Sequence, residues 1–234
     1  MSDFTKVAYR DGETALAGLH MRPASGARAA VTVFPTFMNT TPGVEAKART
    51  LVEAGYAVFV ADFYGPDDPS NFDEARAAMD KLRADPRVMR QRLHSSIAQH
   101  AALDPGLPHL AIGFCLGGHA VLELARDGTD LLAVASFHGL LATALPAKTP
   151  IKPRILVCHG DADALVPRAD VTGFWQEMDA VKADWHIHSY ARVDHGFTNQ
   201  QMLDGSPNPA YNASADRQSW AAMHSLFDEV LEST

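Results

Sequence analysis

The stretch HLAIGFCLGGH, residues 109–119, decides the fold of this chain. It opens with an apolar run at 110–112, which predicts a buried strand. Cys115 follows between Gly113 and Gly117, and the apolar residues after it have helical spacing. A strand, a sharp turn with one reactive side chain, and a helix are the parts of a nucleophile elbow, usually written Gly-x-Ser-x-Gly. Because the motif here reads GFCLG, we predict that Cys115 is a nucleophile on such a turn.

The surroundings of Cys115 explain why these residue types serve a nucleophile. Small residues two positions before and two positions after it let a strand and a helix approach closely. The helix that follows begins with free N–H groups and the positive end of its dipole, which favour a thiolate. Glycine-flanked cysteines also occur as small buried residues, so the motif alone leaves a purely structural cysteine as the alternative.

Composition restricts the class of protein. The 234 residues are 47% apolar, with 20 Lys and Arg against 28 Asp and Glu and a net charge of −8. An acidic chain of this kind is not expected to bind nucleic acid or an anionic membrane surface. The length suits one α/β domain over residues 1–234, and the sequence contains neither an internal repeat nor an interdomain linker.

The cysteines and the apolar runs predict the location of the protein. The sequence has two cysteines, and its first residues lack the apolar segment of a secretory signal. No apolar stretch reaches the roughly 18 residues of a membrane span. We therefore expect a reduced cytoplasmic protein without a membrane partner, present as a monomer or a weak homodimer.

Short apolar runs alternate along the chain with segments of helical periodicity. Strands are predicted at residues 4–9, 14–21, 29–34, 56–61, 109–112, 131–137, 154–159 and 185–190. Helices are predicted at residues 44–54, 73–84, 87–102, 168–181 and 215–231, and directly after Cys115. Most strands are continuous apolar runs, so we predict an α/β fold with a mostly parallel sheet of about seven to eight strands and helices on both faces. Residues 141–152 are expected to form a surface excursion, and residues 194–214 a long polar loop.

A cysteine nucleophile needs a base, and the base needs a group that orients it. In open α/β sheets such groups follow the carboxyl ends of the strands. Asp161 and Asp163 follow the seventh predicted strand, and the spacing Asp-x-x-Val-Pro favours Asp163, because the valine can anchor the loop and the proline can start a helix. His195 follows the last predicted strand. With Cys115 these residues stand in the hydrolase order of nucleophile, acid and histidine, which predicts a Cys-His-Asp triad.

The other histidines, the second cysteine and three arginines are not expected to take part in chemistry. His186 and His188 share one face of a strand and could bind a metal, but no third ligand is evident, so no metal site is predicted. Cys158 lies inside an apolar strand and is expected to be buried. Three histidines stand where they could line the site without doing chemistry: His119, His138 and His159. Three arginines are expected on a solvated helix face: Arg87, Arg90 and Arg92.

These motifs resemble the dienelactone hydrolase family of the α/β-hydrolase superfamily. The matching pieces are GFCLGG at 113–118, DALVP at 163–167 and HGF at 195–197. The segment DFY at 62–64 and the closing residues 211–231 also look like family features, so the resemblance spans nearly the whole chain. It implies an α/β-hydrolase fold and a hydrolase that requires no cofactor.

The resemblance also assigns roles by position. It implies that the predicted triad acts as nucleophile, base and orienting acid, in the order Cys115, His195 and Asp163. An oxyanion hole would use the backbone N–H groups of Leu116 and Phe37. Tyr64 matches a tyrosine that lines the substrate pocket of the family.

Two positions depart from the family pattern. Members that cleave dienelactones carry a glutamate that helps to switch on the cysteine, and Thr36 occupies that place here. Those members also carry an arginine shortly after the histidine to hold the substrate carboxylate, whereas this chain reads HGFTN from His195 to Asn199. The departures count against an anionic dienelactone as substrate and leave the hydrolase chemistry in place.

We therefore expect a hydrolase that cleaves a small ester or lactone through a cysteine nucleophile. Two hypotheses from other classes stay open. Cys115 could be the reactive thiol of a redox sensor, although the sequence shows no evident resolving cysteine nearby. The chain could also be a binding protein that keeps the hydrolase fold without catalysis, for which the altered loop at Thr36 is the best support.

Overall fold

The structure is a computed structural model and describes residues 3–202 and 204–233. The strands are Thr5–Asp11 (β1), Thr14–Met21 (β2), Ala29–Phe34 (β3), Tyr56–Val60 (β4), His109–Phe114 (β5), Ala133–Phe137 (β6), Arg154–Gly160 (β7) and Trp185–Tyr190 (β8). The α-helices are Pro42–Glu53 (α1), Phe72–Ala84 (α2), Pro86–Leu103 (α3), Leu116–Arg126 (α4), Arg168–Ala180 (α5) and Ala213–Glu232 (α6). The expectation about the first residues of the chain falls in part on Met1 and Ser2, and the predicted loop 194–214 includes Leu203; these positions lie outside the described residues.

The eight strands form one sheet in the order β1-β2-β4-β3-β5-β6-β7-β8. The pairs β1–β2 and β2–β4 are antiparallel, and the other neighbouring pairs are parallel. The central strands β3, β4 and β6 are buried along their whole length, as continuous apolar strands between two helical layers must be. The predicted mostly parallel sheet is confirmed, and β1 and β2 form an antiparallel hairpin at one edge of it.

Helices cover both faces of the sheet. On one face α1 and α6 pack their apolar side chains against the strands. On the other face α4 lies with α3, α5 and the end of α2. Every residue of α4 is buried, because this helix follows Cys115 directly and runs back across the centre of the sheet. Cys115 is therefore held at the end of a buried strand and at the start of a buried helix.

Capping residues explain why three helices begin earlier than their apolar periodicity predicts. The hydroxyl of Thr41 accepts the N–H of Val44 at 3.4 Å before α1. The carboxylate of Asp85 accepts the N–H of Arg87 at 3.0 Å before α3. Pro42 and Pro86 then occupy the first helical positions, where a missing N–H costs nothing. Asn212 caps α6 in the same way.

One of two expectations about exposure was wrong. Residues 141–152 lack regular secondary structure and lie mostly at the surface, as expected, although Leu141 and Ile151 of this segment are buried in the core. Arg90 and Arg92 do not lie on a solvated helix face, since their side chains are only 11% and 14% exposed and form ion pairs. Arg87 is exposed, as expected. Each buried guanidinium has acidic partners that lie far from it in sequence, which periodicity could not show.

None of the helices in residues 3–202 and 204–233 is long and apolar enough to cross a membrane. The prediction that residues 1–234 form one domain stays a prediction.

Arg126, at the end of α4, ties three distant parts of the chain together. Its side chain is only 1% exposed. It donates to Glu123 at 2.9 Å, to Glu177 in α5 at 2.9 Å, and to the carbonyl of Leu141 at 2.7 Å. Glu177 also accepts the N–H of Ala147 at 2.8 Å. This network holds the segment after β6 against the helices.

Replacement of Arg126 by alanine should destabilise the protein by about 3 kcal/mol, because Glu177 loses its guanidinium partner and Glu123 keeps only that of Arg90. The free energy of unfolding would be measured by urea denaturation. Lys152→Ala is the control, since Lys152 is 65% exposed and its ion pair with Asp130 lies in solvent; that change should cost less than about 1 kcal/mol. Equal losses in both variants would contradict a structural role for the buried network.

Candidate active site

Cys115 lies in a turn between β5 and α4 with φ 56° and ψ −112°. A positive φ is costly for a residue with a side chain and persists only where the surrounding structure imposes it. The N–H of Cys115 donates to the carbonyl of Phe137 at 3.0 Å and lies 3.2 Å from Nδ1 of His138. These contacts fix the turn from the side of β6. The strand, the turn and the helix predicted from residues 109–119 are all present.

Gly113 and Gly117 permit this turn through their lack of a side chain. A Cβ atom at Gly113 would overlap the carbonyl oxygen of Gly117. A Cβ atom at Gly117 would overlap the carbonyl oxygen of Phe34, at the end of β3. The start of α4 therefore touches the backbone of two neighbouring strands, and neither position accepts alanine without moving the backbone.

His195 and Asp163 meet beside the elbow, as the chain order predicts. Nδ1 of His195 lies 2.7 Å from Oδ2 of Asp163. Asp163 is buried, and its Oδ1 accepts the N–H of Leu165 at 2.8 Å. Asp161 instead pairs with the exposed Arg168 at the surface. The structure thus places Asp163, and not Asp161, against His195.

The charge state of His195 follows from its neighbours. Burial by itself would lower the pKa of His195, but the hydrogen bonds and negative charges of Asp163 and Cys115 outweigh burial and raise it to about 10. In the described part of the chain, the buried Nε2 atom meets no partner with strict hydrogen-bond geometry. Such geometry is often loose without substrate. The imidazole therefore lies between a buried carboxylate and the Cys115 thiol.

The loop that carries Phe37 begins against the elbow, since a Cβ atom at Gly117 would overlap the carbonyl oxygens of Phe34 and Pro35. The N–H of Asn39 donates to the carbonyl of Thr36 at 2.9 Å, which closes a turn over residues 36–39. Inside this turn the Thr36 hydroxyl accepts the N–H of Met38 at 3.2 Å. Leu116 is the first residue of α4, where backbone N–H groups have no partner within the helix.

Tyr64 packs against the same loop. It is buried, and its hydroxyl donates to the carbonyl of Phe37 at 2.9 Å. Burial and the nearby charge of Cys115 raise the pKa of Tyr64 above its usual value. The phenol therefore stays neutral and lies within electrostatic range of the sulfur.

Asp62, which the sequence analysis did not single out as functional, organises the loops around Phe37 and Tyr64. Its Oδ1 accepts the N–H groups of Tyr64 and Gly65, both at 2.9 Å, and the Asn39 amide at 3.0 Å. Its Oδ2 accepts the N–H of Ala17 in β2 at 2.9 Å. Asn39, with φ 58°, is the matching residue of the other loop. The sequence signal for this role was an acidic residue directly after a buried strand.

His138 has a larger part in the site than its sequence position indicated. It follows β6 with φ 41° and is completely buried. Nδ1 faces the N–H of Cys115, and Nε2 lies 3.0 Å from the hydroxyl of Thr198. Its ring meets that of His195 edge to face, with 5.2 Å between the centroids. Burial first, and then the positive charges of His195 and Lys47, hold the pKa of His138 well below its usual value.

Because His138 is neutral, its hydrogen bonds define its tautomer. Nδ1 accepts from Cys115, so the proton resides on Nε2 and is donated to Thr198. His138 thereby joins the elbow to the loop that carries His195.

Lys47 supports that loop from the side of α1. Its Nζ donates to the Asn199 side chain at 2.8 Å and lies 4.9 Å from the centre of the Phe114 ring. Burial lowers the pKa of Lys47 to about 8, although Asp216 acts in the opposite direction. Asn199 is one of the two positions that depart from the family pattern, and in the structure it is a partner of this lysine.

The remaining reactive residues are either buried in the fold or exposed at the edge of the sheet. Cys158 is buried in β7, and burial raises its pKa to about 12. His119 and His159 are buried, and Nδ1 of His119 lies 3.1 Å from the carbonyl of Leu140. His186 and His188 are exposed on the edge strand β8, and within the described ranges no third ligand joins them in a metal-binding group.

The chain is similar to known proteins in sequence and in fold. The model of the dienelactone hydrolase family matches residues 16–231. An uncharacterized protein of Caenorhabditis elegans is 33% identical over 158 residues, which are 66% of this chain and 90% of that protein. At the level of fold alone, an α/β hydrolase from a Medee basin deep-sea metagenome library, MGS-M1, is 18% identical, with a TM-score of 0.68 and coverage of 99% of this chain and 100% of that chain.

Two solved structures are similar in both sequence and fold. One is P91, a dienelactone hydrolase-like promiscuous phosphotriesterase from metagenomic libraries; it is 30% identical, with a TM-score of 0.86 and coverage of 98% of this chain and 99% of that chain. The other is m3DLH, which is 32% identical, with a TM-score of 0.89 and coverage of 97% and 98%. With the family match over residues 16–231, these similarities show that the chain belongs to the dienelactone hydrolase family, has the α/β-hydrolase fold and is an esterase-like hydrolase.

Proposed function

We propose that this hydrolase cleaves small esters or lactones through Cys115, His195 and Asp163. The observation that carries the proposal is the position of His195, bonded at 2.7 Å to a buried carboxylate on one side and interacting with the elbow cysteine on the other. A nucleophile, a base and a group that orients the base are the parts that acyl transfer requires.

In the proposed reaction, the sulfur of Cys115 attacks the carbonyl carbon. The N–H groups of Leu116 and Phe37 stabilise the oxyanion, each by roughly 3 kcal/mol. Protonated His195 gives its proton to the leaving alkoxide, and a thioester remains on Cys115. His195 then removes a proton from water, and the resulting hydroxide attacks the carbonyl carbon of the thioester. The C–S bond breaks, which releases the acid and frees the sulfur of Cys115. Asp163 keeps the imidazole oriented throughout.

Substrate contacts are proposed for Thr36 and Tyr64. Tyr64 is supported by its burial and by its proximity to the charge on Cys115. Thr36 lies in the same turn as Phe37, and its hydroxyl is engaged with the N–H of Met38. A threonine there cannot supply a carboxylate, so we infer that imidazolium formation at His195, rather than a glutamate in this loop, favours the thiolate.

The two rival hypotheses have less support. A redox sensor with a resolving cysteine would need Cys158, but that thiol is buried and its pKa is raised to about 12, which opposes thiolate chemistry. A binding protein without catalysis would have no use for a buried carboxylate behind His195. We further propose, from the acidic charge and the two free cysteines, a cytoplasmic monomer or weak homodimer that binds no nucleic acid.

Cys115→Ala should lower kcat/KM for p-nitrophenyl acetate and a small lactone by at least about 10³-fold, since loss of a nucleophile removes the covalent route. Cys158→Ala is the matched control and should retain activity. A phosphotriester belongs in the same assay, because P91 is a promiscuous phosphotriesterase. Activity of Cys115→Ala within about tenfold of the unmodified protein would refute the proposed nucleophile.

The pH dependence of stability tests the charge on His195. A histidine with an ordinary pKa near 6.5 when unfolded and about 10 when folded stabilises the protein fully below about pH 6.5, and this contribution is lost as the pH rises towards 10. The difference in free energy of unfolding between the natural protein and His195→Gln should therefore shrink from pH 6 to pH 10. Urea denaturation at several pH values measures it. A difference that grows with pH would show that His195 is neutral in the folded state.

His138 is proposed as a positioning residue for this reaction. His138→Gln should lower kcat about 10- to 100-fold with little change in KM, because misplacement of the nucleophile by about 1 Å has an effect of that size. His119→Gln is the control, since His119 is also buried but bonds only to the Leu140 carbonyl in the described contacts. Thr198→Val should reproduce part of the loss in kcat. If His119→Gln and His138→Gln reduce kcat equally, the role of His138 is structural only.

A further inference from the structure

His20, His100 and Asp104 bring three possible metal ligands together away from the elbow. Their ligand atoms all lie within 4.8 Å of one another. His20 is in β2, His100 is in the last turn of α3, and Asp104 directly follows that helix. None of these elements carries Cys115, Asp163 or His195, so the cluster stands apart from the proposed hydrolysis.

One distance in the cluster already matches a tetrahedral zinc site, since Nε2 of His100 lies 3.2 Å from Oδ2 of Asp104. Nε2 of His20 lies 2.7 Å from the same oxygen, a hydrogen-bond distance that an ion between them would lengthen. Ligands that bind zinc tetrahedrally at about 2.0–2.1 Å are roughly 3.3 Å apart. Small side-chain shifts would therefore place all three atoms around one ion.

His100 provides a second observation that points to a ligand. It is completely buried, and its Nε2 faces Asp104 at 3.2 Å without hydrogen-bond geometry or another partner among the described residues. A buried polar nitrogen without a partner is costly. A cation between this nitrogen and the carboxylate would satisfy both.

Neighbouring side chains hold the ligands as an outer shell does in metal sites. Nδ1 of His100 lies 2.8 Å from the hydroxyl of Thr32 in β3, which orients Nε2 towards Asp104. Nε of Arg22 lies 3.1 Å from Oδ1 of Asp104 and leaves Oδ2 for the ion. The His20 side chain is 14% exposed and gives access from solvent.

We propose that His20, His100 and Asp104 bind one Zn²⁺ ion, with water as the fourth ligand on the side of His20. Two imidazoles and one carboxylate suit zinc and are poor ligands for Mg²⁺ or Ca²⁺. The site joins β2 to the end of α3, so the ion would have a structural effect on the hairpin edge of the sheet.

The test is equilibrium dialysis of the chelator-treated full chain against Zn²⁺, with metal analysis of the protein. We expect one Zn²⁺ per chain and a higher Tm in its presence. His20→Gln should abolish this binding, and Thr32→Val should weaken it about 10- to 100-fold, because outer-shell partners have effects of that size. His186→Gln/His188→Gln is the matched control, since it removes two exposed histidines of β8, and should bind as the natural protein does.

Co²⁺ added to the unsubstituted chain gives a readout that does not depend on the folding of any variant. Visible bands typical of four-coordinate cobalt, displaced by Zn²⁺, would support the site. The proposal is overturned if the natural protein fails to retain about one Zn²⁺ per chain, if the bound cobalt is six-coordinate, or if the control variant on β8 loses the ion while His20→Gln keeps it.

Discussion

At the elbow, three pieces of backbone approach more closely than any side chain would allow. The end of β5, the first turn of α4 and the end of β3 touch through Gly113 and Gly117. This contact requires the positive φ of Cys115, and it presses α4 onto the sheet so closely that the whole helix is buried. The position of the sulfur and the position of the loop that carries Phe37 both depend on it.

Two imidazole rings beside the elbow differ in protonation although their centres are only 5.2 Å apart. The His195 ring is protonated, and the His138 ring is neutral. His195 has a buried carboxylate as partner, and its pKa is raised to about 10. His138 has no carboxylate beside it in the described contacts, and burial with the charge on His195 keeps its pKa low. The charged ring can then transfer protons, while the neutral ring can accept the N–H of Cys115. Asp163 and Cys115 therefore favour the charge on His195, while burial first, and then that charge, keeps His138 neutral.

The features of the fold and of the site that could be predicted from the sequence are those that depend on residues close together in the chain. Apolar runs located the eight strands, and glycine spacing located the elbow, because both follow from a few neighbouring residues. The chain order predicted that Asp163 and His195 lie together, and the structure contains that contact. The partners of Arg90, Arg92 and His138 could not be predicted, since each lies on another element and only the folded chain brings them together. Helix starts were missed by one or two residues where a cap and a proline, rather than an apolar residue, begin the helix.

Asp62 makes the two loops at the mouth of the site mechanically dependent on each other. One carboxylate accepts from Ala17 in the hairpin, from Asn39 in the first loop, and from Tyr64 and Gly65 in the second. Insertions or deletions in either loop would break hydrogen bonds in the other. Natural or laboratory evolution of substrate range in this enzyme is therefore constrained to exchange side chains on loops of fixed length, or to replace both loops and the carboxylate as one block.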